Sequence, residues 1–478
     1  GGVNTTTVGG ATAGHRNVIS GNTTDGVYLQ DAGTTDPVIK GNYIGVDITG
    51  NAALPNGDRG VQIESGANNT IVGGTAAGEG NVISANGNDG IIISDGASPG
   101  TGTTGTVIEG NLIGVGADGS TALGNGTNGV RVTTEDGHSI GGTAAGAGNT
   151  IAYNGGRGVD IQNASASANP ILGNSIYSNT NIGIDLGDDG LTANDAGDGD
   201  TGANDLLNFP VITSATELAG TISVDFDLGV PAGDYRIEFF TNTASDPSGN
   251  GEGESFVDSY DVVAHPGGSA SLSTSFAGSM GDIVTATATE EVAAPFGSTS
   301  EFAGAYTVES TYAISGAVFE DIAGDVLADG AIGGANNPGA QGVDVYLYLD
   351  DGDTVLGAAD SLVGGAPVQT DGNGAYTFTG LVDGDYFAGI DSKTVASAQD
   401  PGAVQGDIWA EQTYGPVGGY CDTGIAFAVR GTAGPCYGGI SSNISDDFSQ
   451  WDDREHRALV AISGSDVADV DFGFSFNV

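Results

Sequence analysis

Two glycine-rich turns in the last third of the sequence carry carboxylates at intervals of two to four residues. They read FEDIAGDVLADG (319–330) and LDDGDTVLGAAD (349–360). Closely spaced carboxylates suit Ca²⁺, which takes about six to eight oxygen ligands. The second turn resembles the start of an EF-hand loop but lacks its terminal glutamate. We therefore expect Ca²⁺ in these turns, the alternative being a solvated acidic turn; the candidate ligands in the first turn are Glu320, Asp321 and Asp325.

A third acidic stretch, GDDGLTANDAGDGDTGANDLLNFPVITSA (187–215), follows the last of the repeats described below. Its carboxylates repel one another unless a cation neutralises them, so Ca²⁺ is again the expected ion. The spacing does not match an EF-hand. The candidate ligands are Asp188, Asp189, Asp195, Asp198 and Asp200.

Cys421 and Cys436 are the only cysteines, and they lie 15 residues apart. The chain has neither a CxxC motif nor a histidine near them, which argues against zinc. A disulfide closing a loop of this length stabilises the folded state by about 3 kcal/mol. We predict this disulfide, and with it an oxidising, extracellular setting.

Lyase chemistry on polyuronates needs a basic residue and cations that hold the substrate's carboxylates. The basic residues of the N-terminal repeats are Arg16, Lys40, Arg59, Arg131 and Arg157. Arg59 and Arg157 precede the glycine of a third strand and Arg131 lies within one, so a loose basic line is one interpretation, but we expect these residues to offset nearby acids.

Glycosidase chemistry needs two carboxylates about 5–10 Å apart on one face. Asp160 and Asp185 occupy the same position in successive repeats, GVDI and GIDL, so a retaining pair is conceivable. The same position holds Tyr28 and Arg131 in other repeats, so it varies and we expect its side chains to point outward. Arg131 and Asp160 lie in successive coils, and we expect them to form an ion pair. We therefore expect no catalytic residues, and a polysaccharide-active lyase or glycosidase is the alternative.

The composition excludes other classes of partner. Ten Lys and Arg stand against 61 Asp and Glu, a formal net charge of −51, which repels nucleic acid and anionic membranes. No apolar run is long enough to span a membrane, and no signal peptide is recognisable. The 86 glycines in 478 residues are typical of an all-β protein with many turns.

The elements that position these residues begin with an internal repeat. The phrases GGTAAGEGNVISAN (73–86) and GGTAAGAGNTIAYN (141–154) alternate with NYIGVDITGNAALPNGDRGVQI (42–63) and NLIGVGADGSTALGNGTNGVRV (111–132). Each turn of the repeat has three short apolar pieces, which bury little alone and much when stacked on the next turn. The pattern predicts a right-handed parallel β-helix of six coils over residues 1–208, with the acidic loop over its open end.

Two further features follow from the repeat. An asparagine after the first glycine recurs in each coil, as at Asn42, Asn111 and Asn174, and predicts a ladder of amides along one corner. The two alternating phrases place insertions on different edges in alternate coils. Neither phrase contains a nucleophile–base pair, so we interpret them as features of shape.

Two sandwich domains are predicted after the β-helix. Period-two alternation in TISVDFDL (221–228), YRIEFFTN (235–242) and SASLSTSF (269–276), with turn signals such as VPAGD (230–234), indicates an Ig-like antiparallel β-sandwich over 209–311. YAISGAVFE, VDVYLYLD and GAYTFTGL begin a second sandwich over 312–478, with an insertion that carries the cysteines.

The repeat phrases resemble those of large secreted bacterial and archaeal surface proteins with parallel β-helices. ISGAVFEDIAGD, YLYLDDGDTVLGAADS and TDGNGAYTFTGL resemble an SdrD B-type (Cna-B-like) domain. The resemblance implies a rigid, Ca²⁺-stabilised stalk module of a cell-surface adhesin. It also implies that the Ca²⁺ ligands are Asp350, Asp351, Asp353 and Asp360.

These observations predict a non-enzymatic structural or adhesive protein of the cell exterior. The expected partners are other copies, joined end to end into a fibre or sheath, and a glycan or another cell-surface ligand. The edge of the first coil can continue the stack with another copy or with further coils upstream of this sequence, and the terminal strand VADVDFGFSFNV can pair across a junction.

Overall fold

The structure is a computed structural model. It describes residues 5–96, 102–133, 136–218, 220–291, 296–322, 337–354, 356, 359–391, 394–396, 409–415, 420–422, 427–429, 434–435 and 456–477. Besides strands and turns it contains short 3₁₀ helices at Ala13–His15, Ala203–Leu206 and Val363–Gly365. The predicted all-β fold, a parallel β-helix followed by antiparallel sheets, is confirmed.

The repeats form eighteen short strands, three in each of six coils. The strands are β1 Thr7–Gly9, β2 Val18–Ile19, β3 Val27–Leu29, β4 Val38–Lys40, β5 Tyr43–Ile44, β6 Val61–Glu64, β7 Ile71–Gly73, β8 Val82–Ile83, β9 Ile91–Ser94, β10 Val107–Glu109, β11 Leu112–Ile113, β12 Val130–Val132, β13 Ser139–Gly141, β14 Thr150–Ala152, β15 Val159–Ile161, β16 Ile171–Leu172, β17 Ser175–Tyr177 and β18 Ile184–Leu186. Every third strand pairs in parallel, which gives three six-stranded sheets that we call the first, second and third sheet, after β1, β2 and β3.

Aliphatic side chains stack in columns inside the coils. The register aligns Ile39, Val72 and Ile108 in the first sheet, and the same side chains belong to one buried core. The second and third sheets add columns of the same kind, such as Ile44 on Ile83. Full burial of one such side chain stabilises the fold by about 1.5–3 kcal/mol, so the repeat is the source of the core.

Two asparagine ladders run along the coils, where the sequence indicated one. Nδ2 of each member donates to Oδ1 of the next over 2.8–3.0 Å. The predicted ladder contains Asn17, Asn42, Asn81, Asn111, Asn149 and Asn174, and the second contains Asn22, Asn56, Asn86, Asn125, Asn154 and Asn179. Each Nδ2 donates toward the next coil, so the Oδ1 atoms of the first coil receive no donor from the ladder. The Nδ2 groups of the last coil must find their acceptors outside the ladder.

The second ladder has a sequence signal in the asparagine that precedes most third strands, as in PNG (55–57) and ANG (85–87). Glycine is required beside both ladders because the backbone comes close to the next coil. At Gly114, φ is +84° and a Cβ would lie 1.9 Å from the carbonyl oxygen of Ala152.

The second part of the chain forms one six-stranded sheet. Its strands are β19 Val211–Leu218, β20 Thr221–Asn242, β21 Ser255–Ala277, β22 Ile283–Glu290, β23 Tyr306–Thr307 and β24 Glu309–Ser310. The turn predicted at VPAGD is wrong, since β20 continues through 230–234. Ala232 and Gly233 in β20 pair with Pro266 and His265 in β21, so the two strands stay together through this segment. The register shifts after Gly233, and we describe the two strands as bent at this irregularity. Two long strands thus replace the predicted short ones: 221–228 and 235–242 both lie in β20, and 269–276 lies in β21.

This bent sheet covers the last coil of the β-helix. Ile176 and Gly253 exchange two backbone hydrogen bonds of 2.8 Å, and Phe240 and Phe302 join the core of the coils. The acidic loop predicted to cover the open end contributes a smaller part, chiefly Asn204, whose Oδ1 accepts the N–H of Asn169 over 3.0 Å.

Three buried glutamates of the bent sheet and its loops accept hydrogen bonds from the last coil and the acidic loop; we call them the glutamate cap. Glu252 accepts both the backbone N–H and the Nδ2 of Asn179, the last member of the second ladder. Glu301 accepts from the N–H groups of Leu186 and Thr192, each over 2.9 Å, and Glu238 accepts from that of Gly173 over 2.7 Å. The cap therefore ends the stack of coils at this side.

The remaining residues form two five-stranded sheets and a two-stranded one. Their strands are β25 Tyr312–Glu320, β26 Asp344–Leu349, β27 Ser361–Leu362, β28 Val368–Gln369, β29 Ala375–Leu381, β30 Gly384–Ile390, β31 Trp409–Gly415, β32 Tyr420–Asp422, β33 Phe427–Val429, β34 Gly434–Pro435, β35 Arg457–Ile462 and β36 Phe472–Asn477. The terminal strand β36 pairs in parallel with β25 and antiparallel with β31. The prediction that it pairs across a junction is wrong, because both of its edges are occupied within the chain.

The chain divides into two compact units, Gly1–Glu309 and Ser310–Val478. The β-helix and the bent sheet share the first unit, and the domain boundaries at 208/209 and 311/312 stay predictions. Among the helices of the described residues, none has the length and apolar character needed to cross a membrane.

Candidate functional sites

Three of the predicted ligands in the acidic loop come together. Carboxylate oxygens of Asp195, Asp198 and Asp200 lie within 4.8 Å of one another. Burial raises the pKa of Asp198 to about 6, and the charges of Asp200 and Asp195 act in the same direction. Asp200 Oδ1 is buried and has no hydrogen-bond partner among the described residues. We call this group the loop cluster.

A second group of three carboxylates lies in the C-terminal unit. Oxygens of Asp350, Asp351 and Asp353 lie within 4.8 Å of one another, and we call them the turn cluster. Asp350 also accepts from the backbone N–H of Thr354 over 3.1 Å, which folds the turn. Asp360 is outside the cluster but adjoins it, since its Oδ1 accepts the N–H of Asp351 over 3.0 Å.

The other predicted ligands do not join a cluster among the described residues. Asp188 Oδ1 lies 2.6 Å from Arg157 Nη1 in an ion pair. Glu320 and Asp321 are buried, with 4% and 2% of their surface exposed. Asp189 belongs to neither cluster.

Two residues of the predicted sites, Asp325 and Cys436, lie outside the described ranges. The Ca²⁺ ligand at Asp325 and the disulfide between Cys421 and Cys436 therefore stay predictions.

The candidate glycosidase pair is buried. Asp160 and Asp185 are neighbours in the register of β15 and β18, as the repeat predicts, and each is 0% exposed. Asp160 Oδ2 accepts from Asn128 and Gln162, each over 2.9 Å, and burial raises the pKa of Asp160 to about 7. An acid–base pair of a glycosidase must reach the substrate, so this geometry argues against the enzyme alternative.

The predicted Arg131–Asp160 ion pair is wrong. Arg131 Nη2 instead lies 2.8 Å from a carboxylate oxygen of Asp89, in the preceding coil. Among the described residues, Asp160 therefore keeps only the amides of Asn128 and Gln162 as its hydrogen-bond partners. The other candidate cations of a lyase are also engaged: Lys40 with Glu79 over 2.8 Å, Arg59 with Asp58 over 2.9 Å, Arg157 with Asp185 over 2.6 Å, and Arg16 over the Tyr43 ring at 4.1 Å.

Comparison with known proteins assigns no family. No protein-family model and no curated protein sequence matches the chain. Solved structures that match include a major pilin subunit of Bacillus cereus, with 12% identity over 56% of this chain and 70% of that one and a TM-score of 0.17. A minor pilin of Streptococcus agalactiae matches with 12% identity over 52% and 85% of the two chains and a TM-score of 0.17, and a bacterial adhesin from Mobiluncus mulieris with 10% identity over 57% and 100% and a TM-score of 0.18. At these TM-scores the matches carry no argument about function.

The sequence did not indicate the glutamate cap or the cavity beside it. Glu252 lies in the turn GNGEGE (249–254), which reads as a solvent-exposed loop, and its ladder partner is 73 residues away. A cavity of about 550 Å³ lies where the last coil, the acidic loop and the bent sheet meet, and Arg157, Asp185 and Asp188 contribute to its lining. Neither feature has a local signature, because each depends on contacts between distant parts of the chain.

Proposed function

We propose that this chain is a non-enzymatic structural and adhesive protein of the cell exterior. The observation that carries the proposal is the unbroken stack of six coils, with aliphatic columns and two amide ladders buried along its length. Strand spacing of about 4.8 Å gives the stack a length of about 24 Å. A body stabilised by the same contacts in every coil suits a mechanical role, and the net charge of −51 keeps it away from nucleic acid and anionic membranes.

Self-association is the second part of the proposal, and the first coil is the surface that supports it. Within the described residues, β1, β2 and β3 each pair on one side only, with β4, β5 and β6. Unpaired strand edges are templates for further pairing. The bent sheet covers the last coil, so the last coil of a second copy is not free to stack on the first coil. The second copy must therefore meet the first coil through another of its surfaces.

We expect electron micrographs of the protein in millimolar Ca²⁺ to show end-to-end assemblies, and Val18→Lys at the first coil to reduce them. A lysine at a strand edge opposes pairing through its charge and hydration. Val263→Lys is the matched control, since Val263 is 76% exposed in β21. Dispersed single particles of the unaltered protein, or equal assembly of both variants, would contradict self-association through this coil.

We further propose that Ca²⁺ binds the loop cluster and the turn cluster. Both offer carboxylate oxygens, the hard ligands that Ca²⁺ prefers. In the loop cluster, one oxygen of Asp200 is buried and has no hydrogen-bond partner among the described residues, so a bound cation would give it one. A bound ion would hold Asp195, Asp198 and Asp200 together against their mutual repulsion.

Removal of Ca²⁺ should lower the melting temperature of both units. An ion that binds only the folded state stabilises it by about 2.7 kcal/mol at a hundred times its dissociation constant, which corresponds to several degrees. Calorimetry with Ca²⁺ and with EDTA measures the shift. Asp198→Asn should abolish it in the N-terminal unit and Asp351→Asn in the C-terminal unit, while exposed Asp225→Asn leaves both shifts unchanged. Identical melting curves with Ca²⁺ and EDTA would exclude a structural role for the ion.

A further inference from the structure

The alternating insertions of the coils border a cavity on the outer face of the second sheet. Tyr43, Val82 and Leu112 form its floor and are neighbours in the register of that sheet. The segment 74–78, from the insertion after the first sheet, forms one wall, and Ala117, from the insertion after the second sheet, contributes to another. The volume of about 390 Å³ is within the range of small-molecule sites. The two phrases that we interpreted as features of shape therefore enclose a space of ligand size.

Among the described residues that line this cavity, Arg16 is the one with a charged side chain. Its guanidinium lies over the Tyr43 ring, with Cζ 4.1 Å from the ring centroid, and its Nε donates to the carbonyl oxygen of Gly41 over 3.3 Å. These two contacts orient the guanidinium, and neither Nη atom has a hydrogen-bond partner among the described residues. A guanidinium held in this way presents its N–H groups to a carboxylate, with which arginine forms two parallel hydrogen bonds.

Arg16 also differs from the other basic residues of the N-terminal unit, because no described carboxylate forms an ion pair with it. The other five each lie 2.6–3.0 Å from a carboxylate oxygen, in the pairs Lys40–Glu79, Arg59–Asp58, Arg131–Asp89, Arg157–Asp185 and Arg236–Glu238. No described carboxylate lines the cavity. Since the whole chain carries 61 acidic and 10 basic residues, an unpaired guanidinium in a cavity lined without acids favours an anionic ligand.

The acids that adjoin the lining residues in sequence are paired or directed elsewhere. Glu79 pairs with Lys40. Asp118 is held in its own turn, where it accepts from the backbone N–H and the hydroxyl of Thr121 over 2.8 and 2.6 Å. Glu109 follows Ile108, whose side chain lies in the core of the coils, so the Glu109 side chain points outward from the first sheet rather than the second. Of these charges, that of Arg16 is the one that faces the cavity.

The number of charges and the floor of the cavity decide the class of ligand. One guanidinium balances one negative charge, and the net charge of −51 opposes any further one, so a carboxylate is favoured over a phosphate group of about −2. Val82 and Leu112 belong with Tyr43 and Ala117 to one apolar cluster, which offers contact to an apolar ligand body.

We propose that this cavity binds a monocarboxylate with a small apolar body, its carboxylate on Arg16 and its body on Val82 and Leu112. The guanidinium is oriented before the ligand arrives, so little conformational entropy is lost when the two hydrogen bonds form. The site goes beyond the proposed function, since self-association of the coils requires no small ligand.

Saturation-transfer difference NMR on the full chain tests the proposal with hexanoate and phenylacetate as probes. Hexanamide, hexylamine and phenyl phosphate serve as the neutral, cationic and dianionic comparisons. We expect millimolar binding of at least one monocarboxylate, and binding about tenfold weaker or less for each comparison. Arg16→Gln should weaken binding of the carboxylate about tenfold or more. Arg16→Lys should recover part of that loss, because lysine keeps the charge without the planar fork.

Ala76→Trp tests the cavity itself, since Ala76 is an exposed residue of the wall and an indole there fills the space. Ala277→Trp, at an exposed position of β21, is the matched control for the added ring, and Arg236→Gln on β20 is the control for loss of a positive charge. Both controls should bind the carboxylate as the unaltered protein does, and melting curves confirm that each variant is folded. Absence of carboxylate binding, equal or tighter binding of a comparison compound, or unchanged binding in Arg16→Gln or Ala76→Trp would overturn the proposal.

Discussion

Replacement of Glu252 by alanine should lower the free energy of unfolding of the N-terminal unit by about 3 kcal/mol or more. The Glu252 carboxylate accepts from three donors at the end of the second ladder, which are the backbone N–H groups of Ser178 and Asn179 and the Asn179 amide. Alanine leaves the two backbone N–H groups without an acceptor beneath the bent sheet, while the Asn179 amide keeps the carbonyl of Ile151 at 3.0 Å. Each buried donor without a partner costs about 1–3 kcal/mol, which makes this one of the most destabilising single changes in the unit.

Urea unfolding near pH 5 measures this effect, with Glu309→Ala as the control for loss of an exposed glutamate from the same unit. Burial raises the pKa of Glu252 to about 7, so its proton is retained more strongly in the folded state than in the unfolded state. A raised carboxyl pKa contributes stability that is complete below the unfolded pKa of about 4.5 and is lost as the pH rises through 7.

The difference in stability between the unaltered protein and Glu252→Ala should therefore shrink from pH 5 to pH 8. A difference that grows over this range would mean that the Glu252 carboxylate is bound in its charged form. A variant as stable as Glu309→Ala would mean that water reaches the end of the ladder.

The coils could be predicted from the sequence because each depends on residues within a single repeat. The first aliphatic piece of each coil recurs about every 30 to 36 residues, and the asparagines of the first ladder recur every 25 to 39 residues. Stacking of the coils converts this recurrence into columns and a ladder. The bent sheet was harder to predict. Period-two alternation is the same in several short strands as in two long ones, and only the pairing of β20 with β21 distinguishes them.

The candidate sites were predictable to the degree that their residues are close in sequence. The loop cluster and the turn cluster each span six residues or fewer, so local spacing brings their carboxylates together. Asp160 and Asp185 were correctly placed as neighbours, but their burial depends on what covers the outer face of the third sheet. The partner of Arg131 likewise depends on side-chain direction, which the period of the repeat does not determine.

Replacement of Asn111 by alanine should lower the free energy of unfolding of the N-terminal unit by about 4 kcal/mol. Asn111 Oδ1 accepts from the backbone N–H and the Nδ2 of Asn81, over 3.0 and 2.9 Å. Its own Nδ2 donates to the carbonyl of Val72 over 2.8 Å and to Asn149 Oδ1 over 3.0 Å. The variant leaves the buried Asn81 backbone N–H without its side-chain acceptor, at a cost of about 1–3 kcal/mol. The Asn81 amide keeps the carbonyl of Ile39 and Asn149 Oδ1 keeps the Asn111 backbone N–H, so each of the other lost hydrogen bonds costs about 1 kcal/mol.

Asn17→Ala is the matched control, because Asn17 is the exposed first member of the same ladder. The Asn17 side chain donates only to Asn42 Oδ1. In the variant, Asn42 Oδ1 still accepts the backbone N–H of residue 17. Loss of this solvent-accessible bond should cost about 1 kcal/mol or less. Hydrogen exchange measured with urea unfolding distinguishes the two variants, since the Asn81 amide should exchange faster only in Asn111→Ala. Equal costs at the two positions would mean that the aliphatic columns alone hold the coils in register and that the ladder adds no stability beyond solvation.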